Sequence, residues 1–174
     1  LVDLDAVIFD WGGTLTRWHD IDFHAESLAL AAAVTTVGHD PAHRGGSSLA
    51  SAASGEHAKA LHEAGAVVWG RSRDHQQSAT IADLFEVAGL EHDPALLTAY
   101  RDFWEPHTRT DPEARPLFEK LRASGVRVGI LSNTIWPREW HVSFFERDGV
   151  YDLVDGDVYT SEIPWTKPSP HAFR

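Results

Sequence analysis

The first apolar block of the chain is Val7-Ile8-Phe9, three consecutive β-favouring residues that read as a strand buried on both faces. From Ile21 to Val37 the spacing changes to that of a helix, with Phe23, Leu28, Leu30, Ala31, Val34 and Val37 on the apolar side and Gly38 as a stop. Asp40 to Ser54 is rich in Gly, Ser and Ala and reads partly as loop. Glu56 to Ala64 predicts a helix ended by Gly65, and Ser78 to Ala88 another, followed by Gly89. Pro94 then starts a helix carrying Leu97, Tyr100, Phe103 and Trp104, closed by Pro106. The pattern alternates thereafter. Pro116 opens a helix with Leu117, Phe118 and Leu121 inward and Gly125 at its C-terminal end. "VRVGILSN" supplies a second buried strand, Pro137 to Arg147 a helix with Trp140 in the core, and Leu153-Val154 a third, weaker strand. Strand, long helical stretch, then helix–strand–helix–strand predicts a parallel α/β sheet interrupted by a helical insert.

Such sheets place their sites beyond the carboxyl ends of the strands. Here the first strand ends on Asp10 and the second on Ser132 and Asn133, and Lys167 follows the third in the loop "TKPSPHAF". If the strands are neighbours, a carboxylate, a hydroxyl and an amide converge at one end of the sheet.

Composition narrows the chemistry. The 174 residues are 43% hydrophobic, enough for a real core, and the formal net charge is −11. Lys and Arg are not clustered as a nucleic-acid footprint needs, so no nucleic-acid partner is expected. A small anionic substrate would need local positive charge or a metal to offset the field of the whole protein. Cysteine is absent, which excludes disulfides and thiolate chemistry. No apolar stretch approaches the roughly 18–20 residues that span a bilayer, so no membrane partner and a cytoplasmic location are expected. Methionine is absent even at position 1, so an intact translation product is not expected. Composition sets no oligomeric state.

Taken in order, "IFDWGGT", "ILSN" and "KPSPHAF" resemble three motifs of the haloacid dehalogenase superfamily of phosphatases and related hydrolases, over Leu4 to the last residue. The resemblance implies an α/β fold: a Rossmannoid parallel-sheet core, residues 1–16 and 109–174, with residues 17–108 as an inserted all-helical (C1-type) cap. It implies Asp10 as the nucleophile of a covalent aspartyl intermediate and Lys167 as the neutraliser of developing charge. Thr14 would hold the turn after the nucleophile, and Ser132 and Asn133 would bind substrate. Mg²⁺ would be held by Asp10 and the backbone carbonyl of Gly12. The expected activity is release of phosphate from a small phosphorylated metabolite.

Two departures from the family pattern bear on that activity. Phosphatases of the superfamily carry a second aspartate, a general acid and base, where this chain has Gly12. Members without it include 2-haloacid dehalogenases and phosphonoacetaldehyde hydrolases. The latter have "DWAGT" against "DWGGT" here and use a cap lysine as a Schiff base, for which Lys59 is the one candidate. Glu56 and Glu63 on its helical face predict an exposed, protonated Lys59 instead. The same glycine suits a non-catalytic, ligand-binding member. The acidic motif that completes the family's metal site does not occur before Arg174, so the protein is expected to continue beyond it. Trp11, Trp69 and Trp104 are further candidates for a substrate pocket.

Overall fold

A computed structural model describes residues 4–17, 21–37, 47–91 and 93–174, with side chains at 33–37 and 47–54 excepted. Gly38 and residues 40–46 lie outside the described residues. The chain divides into two compact units, residues 1–19, 71–80 and 107–174, and residues 20–70 and 81–106. Residues 17, 71–80 and 107–108, which the sequence reading gives to the insert, group with the first unit.

The first unit is built on three parallel strands in the order β1 (Ala6–Phe9), β2 (Arg127–Ser132), β3 (Gly156–Tyr159). Ala6 pairs with Arg127 and Phe9 with Ile130, while Gly129 pairs with Gly156 and Ser132 with Tyr159. β2 is central, and Val128, Ile130 and Leu131 are buried as an interior strand requires. The expectation that β1 is buried on both faces fails: Ile8 is 59% exposed. Among the described residues β1 pairs with β2 alone, and only its Val7/Phe9 side is covered. There Phe9 packs on Phe118 of α5 (Ala114–Ala123), ring centroids 5.2 Å apart. Helix α5 ends as predicted. Gly125 has φ 77°, a left-handed conformation that glycine adopts without steric cost, and Val126 N–H returns to Leu121 O at 3.0 Å.

The third strand begins later than its apolar residues suggest. Tyr151–Leu153 form a single 3₁₀ turn, and pairing starts at Asp155, whose N–H donates to Val128 O while its carboxylate accepts from Val128 N–H, both at 2.8 Å. A carboxylate that takes a ladder hydrogen bond sets the strand's start, and hydropathy does not register it. α6 (Arg138–Arg147) packs Phe144 and Phe145 into the core. Trp140 is half-buried, whereas Trp136 is buried.

In the second unit, α1 (Phe23–Val37) is capped by Asp22, which accepts from His24 and Ala25 N–H at 2.9 and 3.1 Å. α1 meets α4 (Pro94–Trp104) through the Phe23 and Trp104 rings and a 2.6 Å bond from Trp104 Nε1–H to Glu26. Burial raises the Glu26 carboxyl above its usual range. α3 (Ile81–Val87) adds Leu84 and Phe85. The predicted stop at Gly65 is absent: α2 runs unbroken from Ser47 to His75. Ala58, Leu61, Ala64 and Val68 bury a continuous stripe across the glycine. That packing outweighs a propensity cost of about 1 kcal/mol. Lys59 is 77% exposed and 3.7 Å from Glu63.

A buried histidine gives the first unit a pH-dependent stability. His141 is fully buried, stacked 4.3 Å from Tyr159 and set edge-on to Trp11 at 4.7 Å. Its Nε2 lies 3.1 Å from Thr134 Oγ1, and Nδ1 finds no partner among the described residues. Burial, aided by the charge of Arg138, holds its pKa down to about 3 against 6.5 for a free histidine. The unfolded chain therefore binds a proton below pH 6.5 that the folded chain refuses, so this contribution is complete above pH 6.5 and falls as pH falls towards 3. At pH 5 the loss is about 2 kcal/mol. His141→Phe is expected to lose less stability than the wild type between pH 7 and 5, measured by urea denaturation at each pH. Equal losses would show that His141 is charged or solvated in the folded protein.

Candidate active site

The turn after β1 is organised by one carbonyl. Trp11 O accepts the N–H groups of Thr14, Leu15 and Thr16 at 3.2, 2.9 and 3.0 Å, and the Thr16 hydroxyl at 3.4 Å. Gly13, at φ 74°, makes that convergence possible; a side chain there would be strained. Trp11 was a pocket candidate by sequence, but it is buried against Trp136, His141 and Phe144, where it anchors the turn. An aromatic beside Asp10 is legible in the sequence, but the side of the backbone it leaves from is not. Thr14 is exposed and contributes its backbone N–H, whereas the hydroxyl that braces the turn is that of Thr16. The second threonine of "GGTLT" is the one signal that pointed to it.

Asp10 follows the last residue of β1 with its side chain 45% exposed. Its Oδ1 accepts from Trp11 N–H at 2.7 Å and from the Lys167 ammonium at 2.7 Å. Among the described residues no hydrogen bond or ion pair falls on Oδ2. One oxygen is thus fixed and partly neutralised while the other keeps its lone pairs free. Lys167 Nζ also donates to Leu131 O at 2.6 Å, spanning the ends of β1 and β2. Its side chain is only 19% exposed.

Asn133, expected among the substrate binders, spends its amide on Lys167: Nδ2 donates to Lys167 O at 3.0 Å, and Oδ1 accepts Lys167 N–H at 2.8 Å. Ser132 is buried at the end of β2. Thr134, two residues on, is tied to the end of β3, since the Thr160 hydroxyl accepts from Thr134 N–H at 2.9 Å and donates to Thr134 O at 3.2 Å. The structure therefore joins Asp10, Asn133 and Lys167 directly and leaves Gly12 and Thr14 on the exposed turn. Gly12 O accepts no hydrogen bond among the described residues, and a Cβ on Gly12 would meet nothing within 4 Å. Among the described residues no group of three His, Asp or Glu side chains could hold a metal ion, and no helix is long and apolar enough to cross a membrane.

A carboxylate with one tethered and one free oxygen, facing a lysine across the ends of two parallel strands, is suited to nucleophilic attack. Comparisons with known proteins bear on the fold and the family. Solved structures share the fold, among them an L-2-haloacid dehalogenase from Xanthobacter autotrophicus (17% identity, TM-score 0.53) and a phosphatase from Thermococcus onnurineus (21% identity, TM-score 0.57). The alignments cover 98% of this chain in both cases, with 62% of the dehalogenase and 68% of the phosphatase. The chain thus spans less than two thirds of the Xanthobacter enzyme's length. No curated protein matches significantly. A haloacid dehalogenase-like hydrolase family model matches residues 4–174, and the chain belongs to that family.

Proposed function

We propose that this hydrolase cleaves a small anionic phosphomonoester through Asp10. The free Oδ2 carries the reading. It attacks phosphorus, the P–O bond to the leaving alkoxide breaks, and an aspartyl phosphate forms. Water then attacks the phosphorus, the P–Oδ2 bond breaks, and inorganic phosphate leaves with the carboxylate restored. Lys167 neutralises charge that develops on the phosphoryl oxygens, and Ser132 supplies a hydroxyl to one of them. The helical unit is assigned as the cap that selects the substrate.

Mg²⁺ fits the donors on the page as part of a site. The Asp10 carboxylate and Gly12 O are hard oxygens, Gly12 O with no hydrogen bond among the described residues, and this ion commonly keeps waters and substrate oxygens as its other ligands. When bound, it would supply charge stabilisation to the transferring phosphoryl group.

Gly12 favours a second reading. An alkoxide leaving group benefits from a proton that glycine cannot donate, whereas a halide needs none, so attack of Oδ2 on the carbon of a 2-haloacid suits the same site. A Schiff base at Lys59 has less support, because that lysine is exposed and beside Glu63.

The open space at Gly12 provides the test. Phosphomonoesters, 2-haloacids and phosphonoacetaldehyde should be assayed with Mg²⁺ and with chelator, on the protein and on Gly12→Asp. Mg²⁺-dependent phosphate release, raised by up to about 10²-fold in Gly12→Asp, is expected. Halide release that survives chelator would replace this reading with the second. Borohydride trapping at Lys59 would replace it with the phosphonoacetaldehyde one. Ligand-induced stabilisation without turnover would make the protein a binder.

A further inference from the structure

Lys167 is held on two sides, and one of the holding elements carries no motif. The last turn of α2 closes with Gln76 N–H donating to Ser72 O at 3.0 Å and Gln77 N–H to Arg71 O at 3.2 Å. Gln76 sits at φ 54°, the left-handed position that glycine usually fills at a helix end. A side chain there is strained, and such residues persist where the surroundings hold them and cluster at functional sites. Its surroundings are the loop that leads to Lys167. Gln76 O accepts Thr166 N–H at 2.9 Å, the Ser72 hydroxyl donates to Thr166 Oγ1 at 3.1 Å, and Ser78 N–H donates to Pro164 O at 3.1 Å. Gln77 and Trp165 form an antiparallel bridge. Each of the three residues before Lys167 is thus tied to the end of α2, and Asn133 holds Lys167 itself.

We propose that the Ser72–Ser78 turn is a positioning element for Lys167, with Ser72 its principal side chain. Ser72 touches no reacting atom and acts by fixing Thr166. A lysine ammonium rides on a flexible four-carbon stem, so its reach to both Asp10 Oδ1 and Leu131 O depends on where its backbone starts. Displacement by even about 1 Å in such a site costs orders of magnitude in rate. The proposal rests on the reading of Lys167 as the charge-neutralising group, but its test does not depend on turnover.

The chain contains three lysines, Lys59, Lys120 and Lys167, so the acetylation rate of each can be followed by peptide mass spectrometry on the whole protein. With N-hydroxysuccinimidyl acetate, Lys167 in the wild type is expected to react at least about tenfold more slowly than exposed Lys59, since it must first leave its bonds. Ser72→Ala should raise the Lys167 rate at least about threefold with Lys59 and Lys120 unchanged, because a bond restraining local opening has gone. Ser72→Thr, which keeps the hydroxyl, should restore protection. Where turnover is measurable, Ser72→Ala should lower kcat more than it raises KM. If Ser72→Ala does not fold, Thr166→Val removes the same hydroxyl contact from the other side. Protection of Lys167 unchanged in a folded Ser72→Ala or Thr166→Val protein would overturn the proposal. Inactivity of the wild type towards every phosphomonoester would sink the phosphatase reading and leave the acetylation comparison intact.

Discussion

Asp10→Asn is expected to reduce turnover by at least about 10³-fold, as loss of a nucleophile does in enzymes that form covalent intermediates. The amide is nearly isosteric, and its oxygen can still accept the two 2.7 Å bonds from Trp11 N–H and Lys167. What it loses is the charged, unengaged Oδ2. The thermal midpoint should therefore stay close to that of the wild type while kcat collapses. A steady-state assay on the substrate found by the panel, paired with a melting curve, checks both halves. Activity within about tenfold of wild type would remove Asp10 from the mechanism, because a carboxamide cannot form and release the covalent intermediate at such a rate.

Lys167→Ala should cost about 10²–10⁴-fold in kcat/KM, the range seen when a preorganised charge-stabilising group is removed. The structure gives the reason for expecting the upper half of that range. Lys167 is the cation paired with Asp10, and its removal leaves the carboxylate with the Trp11 N–H alone on Oδ1. Repulsion between that carboxylate and an anionic substrate would then be unscreened, in a protein already at net charge −11. The loss should fall on both kcat and KM and lessen at high salt. A variant with intact kinetics would show that the ammonium serves the fold alone.

Much of this was legible in the sequence, for identifiable reasons. Strand ends were readable because a parallel strand is a run of apolar residues that stops at a polar one, as "VIFD" and "ILSN" do, even though one face of β1 is exposed. Gly125 was readable because a left-handed residue after a helix selects glycine. The same rule misled at Gly65, where a stripe of buried residues carries α2 through, and it was silent at Gln76, which takes the left-handed position without being glycine. The strand at Gly156–Tyr159 was placed early because Asp155 begins the pairing with its side chain. Within the site, Asp10 and Lys167 carry motifs, but the residues that aim Lys167 do not. Ser72 meets Thr166 across 94 positions of sequence, and neither residue has a local pattern that announces the other. The resemblance implies a substrate role for Asn133, but nothing in the local sequence announces that its amide also bonds the Lys167 backbone.

The register of β1 on β2 also bears on how the protein comes to fold. Ala6 pairs with Arg127, so β1 leaves the ribosome roughly 120 residues before its partner, and Lys167 comes later still. Closing so long a loop costs only a little more entropy than closing a short one, since that cost grows with the logarithm of length. It does slow the search, because the non-local contacts must form before they reward the chain. The helices of the second unit lie inside this loop and are complete in sequence before β2 is synthesised. During synthesis they can form while β1 is still unpaired, and Asp10 meets Lys167 only after β2 has been made.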